Sequence, residues 1–152
     1  LNIDTKKLTQ AITPQTKAIF AVNLLGNPNS YSEIQKICEE NNLLLLEDNC
    51  ESLGAEYLGR KTGTFGIFGT CSGFFSHHMS TMEGGMITTD DEEIYHILLS
   101  LRAHGWTRNL PKKNKLTEKS QNNFMEPMQM VTNIALSMQK TAMSTLATCL
   151  LI

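Results

Sequence analysis

The sequence predicts an α/β fold in three layers around a largely parallel sheet, on three observations. Lys17-Ala18-Ile19-Phe20-Ala21-Val22-Asn23-Leu24 and Leu43-Leu44-Leu45-Leu46 are near-continuous apolar runs, the pattern of strands covered on both faces. Between them Ile34, Ile37 and Cys38 recur on one face of a helical period, which completes a βαβ unit with its right-handed crossover. Further on, the β-prone runs Thr70–Phe75 and Met86–Thr89 bracket a polar turn that carries two histidines.

Composition narrows the class. A chain of 152 residues, 41% hydrophobic and 18% charged, is long enough to bury the core of one globular domain. Its net charge of -2 argues against nucleic acid or an anionic membrane surface as partner, since either calls for a basic patch, and Lys112, Lys113 and Lys115 make the only local cluster. No run of about eighteen apolar residues is present to span a bilayer. Leu1-Asn2-Ile3-Asp4 lacks the form of a secretory signal, so a cytoplasmic location is expected. Cys38, Cys50, Cys71 and Cys149 fall at no metal or redox spacing; reduced core thiols and no metal site are expected.

Taken in order, Leu8, Ala11 and Ile12 indicate a short helix, stopped by Thr13-Pro14. The first apolar run follows and ends at Gly26-Asn27-Pro28-Asn29. Ser30 and Glu33 have the spacing of a capping box that opens the next helix, and Asn41-Asn42 closes it. The second strand ends at Glu47-Asp48. Asp48 therefore arrives at the carboxyl edge of the sheet, where open α/β folds bind ligands, although an Asp that merely caps the next turn would look the same. Gly63, Gly66 and Gly69 are spaced GxxGxxG, unlike the GxGxxG of dinucleotide loops, and no helix pattern follows. They are assigned to tight turns around a short strand, with Phe65 and Phe68 buried. Thr70–Phe75 is read as a strand that delivers Ser72 and His77 to the same rim as Asp48. After Met86–Thr89, the acids Asp90-Asp91-Glu92-Glu93 open a helix whose buried face is Ile94, Ile97, Leu98 and Leu101. Residues 111–152 are polar, then Met- and Thr-rich with weak periodicity, and are expected to form a loosely packed tail.

The densest chemistry lies between Ser72 and Thr89. Adjacent histidines in a loop are most often solvated imidazoles, but the pattern around these two is more specific. The skeleton Ser72-x4-His77-x5-Glu83-Gly84-Gly85, followed by Ile87-Thr88-Thr89, resembles the cofactor-lysine segment of the DegT/DnrJ family of nucleotide-sugar aminotransferases, which use pyridoxal phosphate. Leu46-Glu47-Asp48 with Ser52-Leu53-Gly54-Ala55, and Arg102-Ala103-His104-Gly105, resemble two further segments of that family. Where the family has its lysine this chain has His77, followed by His78, which resembles the sugar 3-dehydrase branch. The resemblance implies part of the large domain of a fold-type I pyridoxal-phosphate enzyme. It covers residues 1–110 and leaves 111–152 poorly matched, with the upstream phosphate-binding turn and the small domain outside this chain.

The resemblance also implies roles. Asp48 would pair with the cofactor's pyridine nitrogen, Ser72 would bind its phosphate, and His77 would be the catalytic base. Glu51 stands where the family often has Gln; a carboxylate facing a phenolate-like oxygen needs a shared proton or another contact. His78 and Asn23 are neighbouring candidates. The implied cofactor is pyridoxal or pyridoxamine 5'-phosphate, and the implied partners are a nucleotide-linked keto-deoxy sugar, a second subunit in a homodimer and an iron–sulfur reductase. Three functions remain open: a 4-keto-6-deoxy-sugar 3-dehydrase of lipopolysaccharide or O-antigen biosynthesis, a sugar aminotransferase, and a non-catalytic remnant of the family.

Overall fold

The computed structural model describes residues 2–108, 110–112, 114 and 116. Two compact units divide the chain, Leu1–Asp90 and Asp91–Ile152. The first holds helix α1 (Thr5–Ala11), strand β1 (Ala18–Val22), helix α2 (Tyr31–Asn41) and strands β2 (Leu44–Asp48), β3 (Glu56–Tyr57), β4 (Arg60–Lys61), β5 (Phe68–Ser72) and β6 (Gly85–Thr88). The second holds helix α3 (Glu92–Leu101). The expectation of a loosely packed tail falls almost wholly outside the described residues.

The main sheet has the order β1-β2-β5-β6. β1, β2 and β5 run parallel, and β6 returns antiparallel beside β5. Ile19 and Ala21 of β1 and Leu45 of β2 face Tyr31, Ile34, Ile37 and Cys38 of α2, and Leu8 and Ile12 of the α1 region pack at the margin. Each fully buried aliphatic side chain there contributes about 1.5–3 kcal/mol, more than any single cap or surface pair, so this interface sets the stability of the βαβ unit. The left-handed Asn42 ends α2, and its N–H meets the carbonyls of Cys38 and Glu39.

Several elements differ from the sequence reading, each for a local reason. β1 is fully covered on one face only: Ile19 and Ala21 pack into the core with α2, whereas Phe20 on the other face is half-buried and Val22 is 42% exposed. The capping box does not form. Ser30 makes no side-chain cap bond, and the Glu33 carboxylate instead accepts the Thr5 hydroxyl at 2.6 Å, which ties α2 to α1. β5 stops at Ser72, because Gly73 turns the chain outward and leaves Phe74 and Phe75 outside the strand. Phe68 is buried, whereas Phe65 is half-buried and stacks on Tyr31 with ring centroids 4.2 Å apart.

The three spaced glycines serve close backbone approach more than turning. A Cβ on Gly66 would collide with the Leu45 carbonyl, and one on Gly69 would sit 2.5 Å from the Gly63 Cα. In the second unit the Asp91 carboxylate caps α3 by accepting the N–H groups of Glu93 and Ile94. Among the described residues of that unit, Ile97 and Leu116 are buried together, with Ile94, Leu101 and Leu110 against them. Cys38 and Cys50 are buried and Cys71 is half-buried.

Candidate active site

Parallel pairing places Val22 beside Asp48, and Asp48 beside Thr70. Asn23, Asp48 and Ser72 therefore stand at the carboxyl ends of three adjacent strands, on the one edge that the fold reserves for ligands. A groove of about 410 Å³ lined by Ile12, Pro14, Lys17, Asn42 and Leu43 lies at the opposite, amino ends of β1 and β2.

Asp48 is 6% exposed, and its Oδ1 accepts the Cys50 N–H at 2.9 Å. The turn-capping role that the sequence left open is thus real, but it occupies one oxygen. Oδ2 takes no protein donor among the described residues. Ser72 accepts the Phe74 N–H at 3.1 Å and keeps its hydroxyl hydrogen free to donate. A buried carboxylate with a free oxygen, next to a strand-end hydroxyl with a free proton, fits a protonated ring nitrogen and a phosphate respectively. Burial, and then the Asp48 carboxylate, push the Cys71 thiol up, which places that thiol within the reach of Asp48's charge.

Glu51 has one oxygen committed to the backbone. Its Oε2 accepts the Leu25 N–H at 2.8 Å and braces the turn Leu24–Gly26, where Leu25 sits at φ 53. Asn23 has no capacity left for a ligand. Its Nδ2 donates to the Tyr31 hydroxyl (2.6 Å) and to Asn49 Oδ1 (2.8 Å), while its Oδ1 accepts the Asn29 backbone and side-chain N–H groups (3.0 and 3.1 Å). Asn23 braces the scaffold with its whole amide, and Glu51 with one of its two oxygens.

His77 lies in a loop that joins β5 to β6. The neck is closed by Gly73 N–H to the Gly84 carbonyl and Thr81 N–H to the Gly73 carbonyl, both 2.8 Å. A Cβ on Gly73 would fall 2.6 Å from Thr81 Oγ1, so the neck closes only around glycine. Inside it, the His77 N–H bonds the Phe74 carbonyl, and the imidazole lies edge-on to the Phe74 ring, half-buried. His78 is exposed. No lysine occurs between Lys61 and Lys112.

A family model described as the DegT/DnrJ/EryC1/StrS aminotransferase family matches residues 1–146. This chain belongs to that family. Among DegT/DnrJ proteins it is 61% identical over 132 residues to a GDP-4-keto-6-deoxy-D-mannose 3-dehydratase of Escherichia coli O55:H7, covering 86% of this chain and 34% of the relative. An E. coli GDP-4-keto-6-deoxy-D-mannose-3-dehydratase solved with bound hydrated PLP superposes with TM-score 0.72 at 65% identity, over 77% of this chain and 30% of that one. A ColD variant, in which a histidine is replaced by lysine and the serine directly before it by asparagine, superposes with TM-score 0.73 at 63% identity, over 77% and 31%. The chain spans about a third of the length of these relatives. The family match runs past residue 110, further than the motifs alone carried it.

Sequence reasoning missed Glu47 and Asn49. Glu47, fully buried, accepts the N–H groups of Gly63, Phe65 and Gly66 at 2.5–2.7 Å and so fastens the glycine segment beneath β2. Asn49 links Asn23 to the turn after Asp48. A polar pair ending an otherwise apolar strand was the only signal for either.

Proposed function

We propose that this chain forms the cofactor-bearing part of a nucleotide-sugar 3-dehydratase acting on a GDP-linked 4-keto-6-deoxy sugar in O-antigen biosynthesis. The observation that carries the reading is the loop closed by Gly73 and Gly84, which presents a half-buried His77 and contains no lysine. A family lysine would capture the cofactor covalently and direct the chemistry to amine transfer; an imidazole takes a proton and leaves the cofactor amine free.

Pyridoxamine phosphate, when bound, would supply an amine and an electron sink. Asp48 would hold the ring nitrogen protonated through its free oxygen, and Ser72 would donate its hydroxyl to the phosphate. His77 Nδ1 or Nε2 accepts the proton whose removal lets the C3 hydroxyl depart, and the same imidazolium is placed to return a proton. The edge-on Phe74 ring shields one side of the imidazole from water. The choice of His77 over His78 is supported by burial and by the relative whose exchanged histidine directly follows a serine: Ser76-His77 is the one Ser-His pair in this sequence.

The exposed Phe75, Met79 and Met82 of the same loop suit coverage by a second copy, which makes a homodimer part of this reading. Among the described residues no helix is long and apolar enough to cross a membrane, and a cytoplasmic site, where nucleotide sugars are made, completes it. Reducing equivalents come either from an amino acid that restores the cofactor amine or from an iron–sulfur reductase partner; turnover with glutamate alone distinguishes them.

The test exchanges His77 and His78 for lysine, one at a time, in a chain that binds the cofactor. His77→Lys is expected to give a covalent, borohydride-reducible link with its own absorption band and to abolish deoxygenation, a loss of about a hundred- to ten-thousandfold. His78→Lys is expected to do neither. A band with lysine at 78 and not at 77 would move the catalytic assignment by one residue.

A further inference from the structure

The carboxyl edge of the sheet contains a buried amide bridge that no role in cofactor chemistry explains. Asn23 N–H donates to the Asp48 carbonyl at 3.0 Å, and Asn23 Nδ2 donates to Asn49 Oδ1 at 2.8 Å. Asn49 N–H bonds the Thr70 carbonyl at 2.8 Å, and its Oδ1 also accepts the Ser52 hydroxyl at 3.2 Å. Asn49, the residue that follows Asp48, thereby ties together the ends of β1 and β5. Both amides are deeply buried, Asn23 fully and Asn49 at 5% exposure.

The Asp48 carboxylate accepts the Cys50 N–H across Asn49, so the residue being spanned fixes the geometry of that turn. Asn49 does this at a cost to itself. Its Nδ2 is buried without a partner, wedged where an added Cβ on Gly63 or Gly69 would lie 3.0 Å away. Unpaired buried donors are rare in cores and concentrate where another demand overrides packing.

We propose that Asn23 and Asn49 are positioning residues for Asp48: their amide bridge holds the Asp48–Cys50 turn so that the free carboxylate oxygen stays at the ligand-binding edge. The functional meaning rests on the cofactor role assigned to Asp48 above, but the placement is testable without cofactor. Cys71 is the reporter, since the Asp48 charge contributes to holding its thiol up.

The midpoint of Cys71 alkylation against pH, read from the Cys71 peptide by mass spectrometry, is expected to fall in Asp48→Asn. It is expected to fall in Asn49→Ala and in Asn23→Ser as well, and to fall no further when either is combined with Asp48→Asn, as a route through one carboxylate demands. Tyr31→Phe, which removes the other partner of Asn23 Nδ2 and keeps the bridge, is expected to leave the midpoint in place. A second reading is the Cys50 amide proton, expected to lose its exchange protection in Asn49→Ala. An equal midpoint shift from Asn49→Ala with and without Asp48 would show general loosening and overturn the proposal, as would a Cys50 amide still protected in both bridge variants. Neither reading uses cofactor, so an Asp48 that never meets a ring nitrogen would defeat the functional role while leaving these results unchanged.

Discussion

At the scale of single residues, the buried Glu47 carboxylate decides the shape of the segment below the site. It accepts three backbone N–H groups, and a charged acceptor makes each of those bonds stronger than a neutral one would. Glu47→Gln leaves one oxygen for three donors and turns an amide N–H toward them. It is expected to destabilise by about 2–3 kcal/mol, seen as a lower urea midpoint at unchanged slope. Gly66→Ala is expected to cost about 1–3 kcal/mol through its collision with the Leu45 carbonyl. Neither effect was legible in the sequence, where Glu47 reads as a strand end and Gly66 as a turn glycine. Asp48 was legible because a strand's end can be read from where its apolar run stops, whereas Ser72 was picked out by its spacing to His77, the strand itself having been read on to Phe75. The Asn23–Asn49 bridge was not, because a contact between remote positions leaves no periodic trace.

At the scale of elements, the two helix starts of the first unit behave oppositely to what their sequences suggest. Asp4 accepts the N–H groups of Lys6 and Lys7 and caps α1, although nothing around it has the form of a capping box. Ser30 has that form and makes no cap bond. Asp4→Ala is therefore expected to lower stability by about 1 kcal/mol and Ser30→Ala by only a few tenths, measured side by side in denaturant. α1, α2 and α3 were legible from helical periodicity, and β1, β2 and β6 from their apolar or β-prone runs. The hairpin of β3 and β4 was not: two residues per strand carry no alternation, and its turn depends on Leu58 and Gly59 at positive φ. The overlong β5 came from counting Phe74 and Phe75 as strand when their apolar side chains serve the loop.

At the scale of the whole molecule, the first unit buries groups that resist losing protons. Burial and the nearby Glu47 push the Tyr31 phenol up, and burial pushes up the Cys38 and Cys71 thiols. A raised folded-state pKa means that the unfolded chain releases its protons first. The stability is therefore fully present below the unfolded values and is lost as pH rises through the folded ones. Unfolding free energy is expected to fall from about pH 8.5 upward, the ordinary thiol range, with a further fall near pH 10. Absorbance at 295 nm should show one tyrosine ionising only together with unfolding; three tyrosines ionising before the chain unfolds would contradict the buried placement of Tyr31.

The glycine-necked loop between β5 and β6 holds the proposed base apart from the packed sheet. Its closure depends on Gly73, Thr81 and Gly84, none of which touches the sheet's core, and its contents hang beyond the last strand pair at Ser72 and Gly85. On the catalytic role proposed for His77, a single exchange of the side chain at position 77 would redirect the chemistry while leaving every strand pairing, glycine contact and asparagine bridge below it in place.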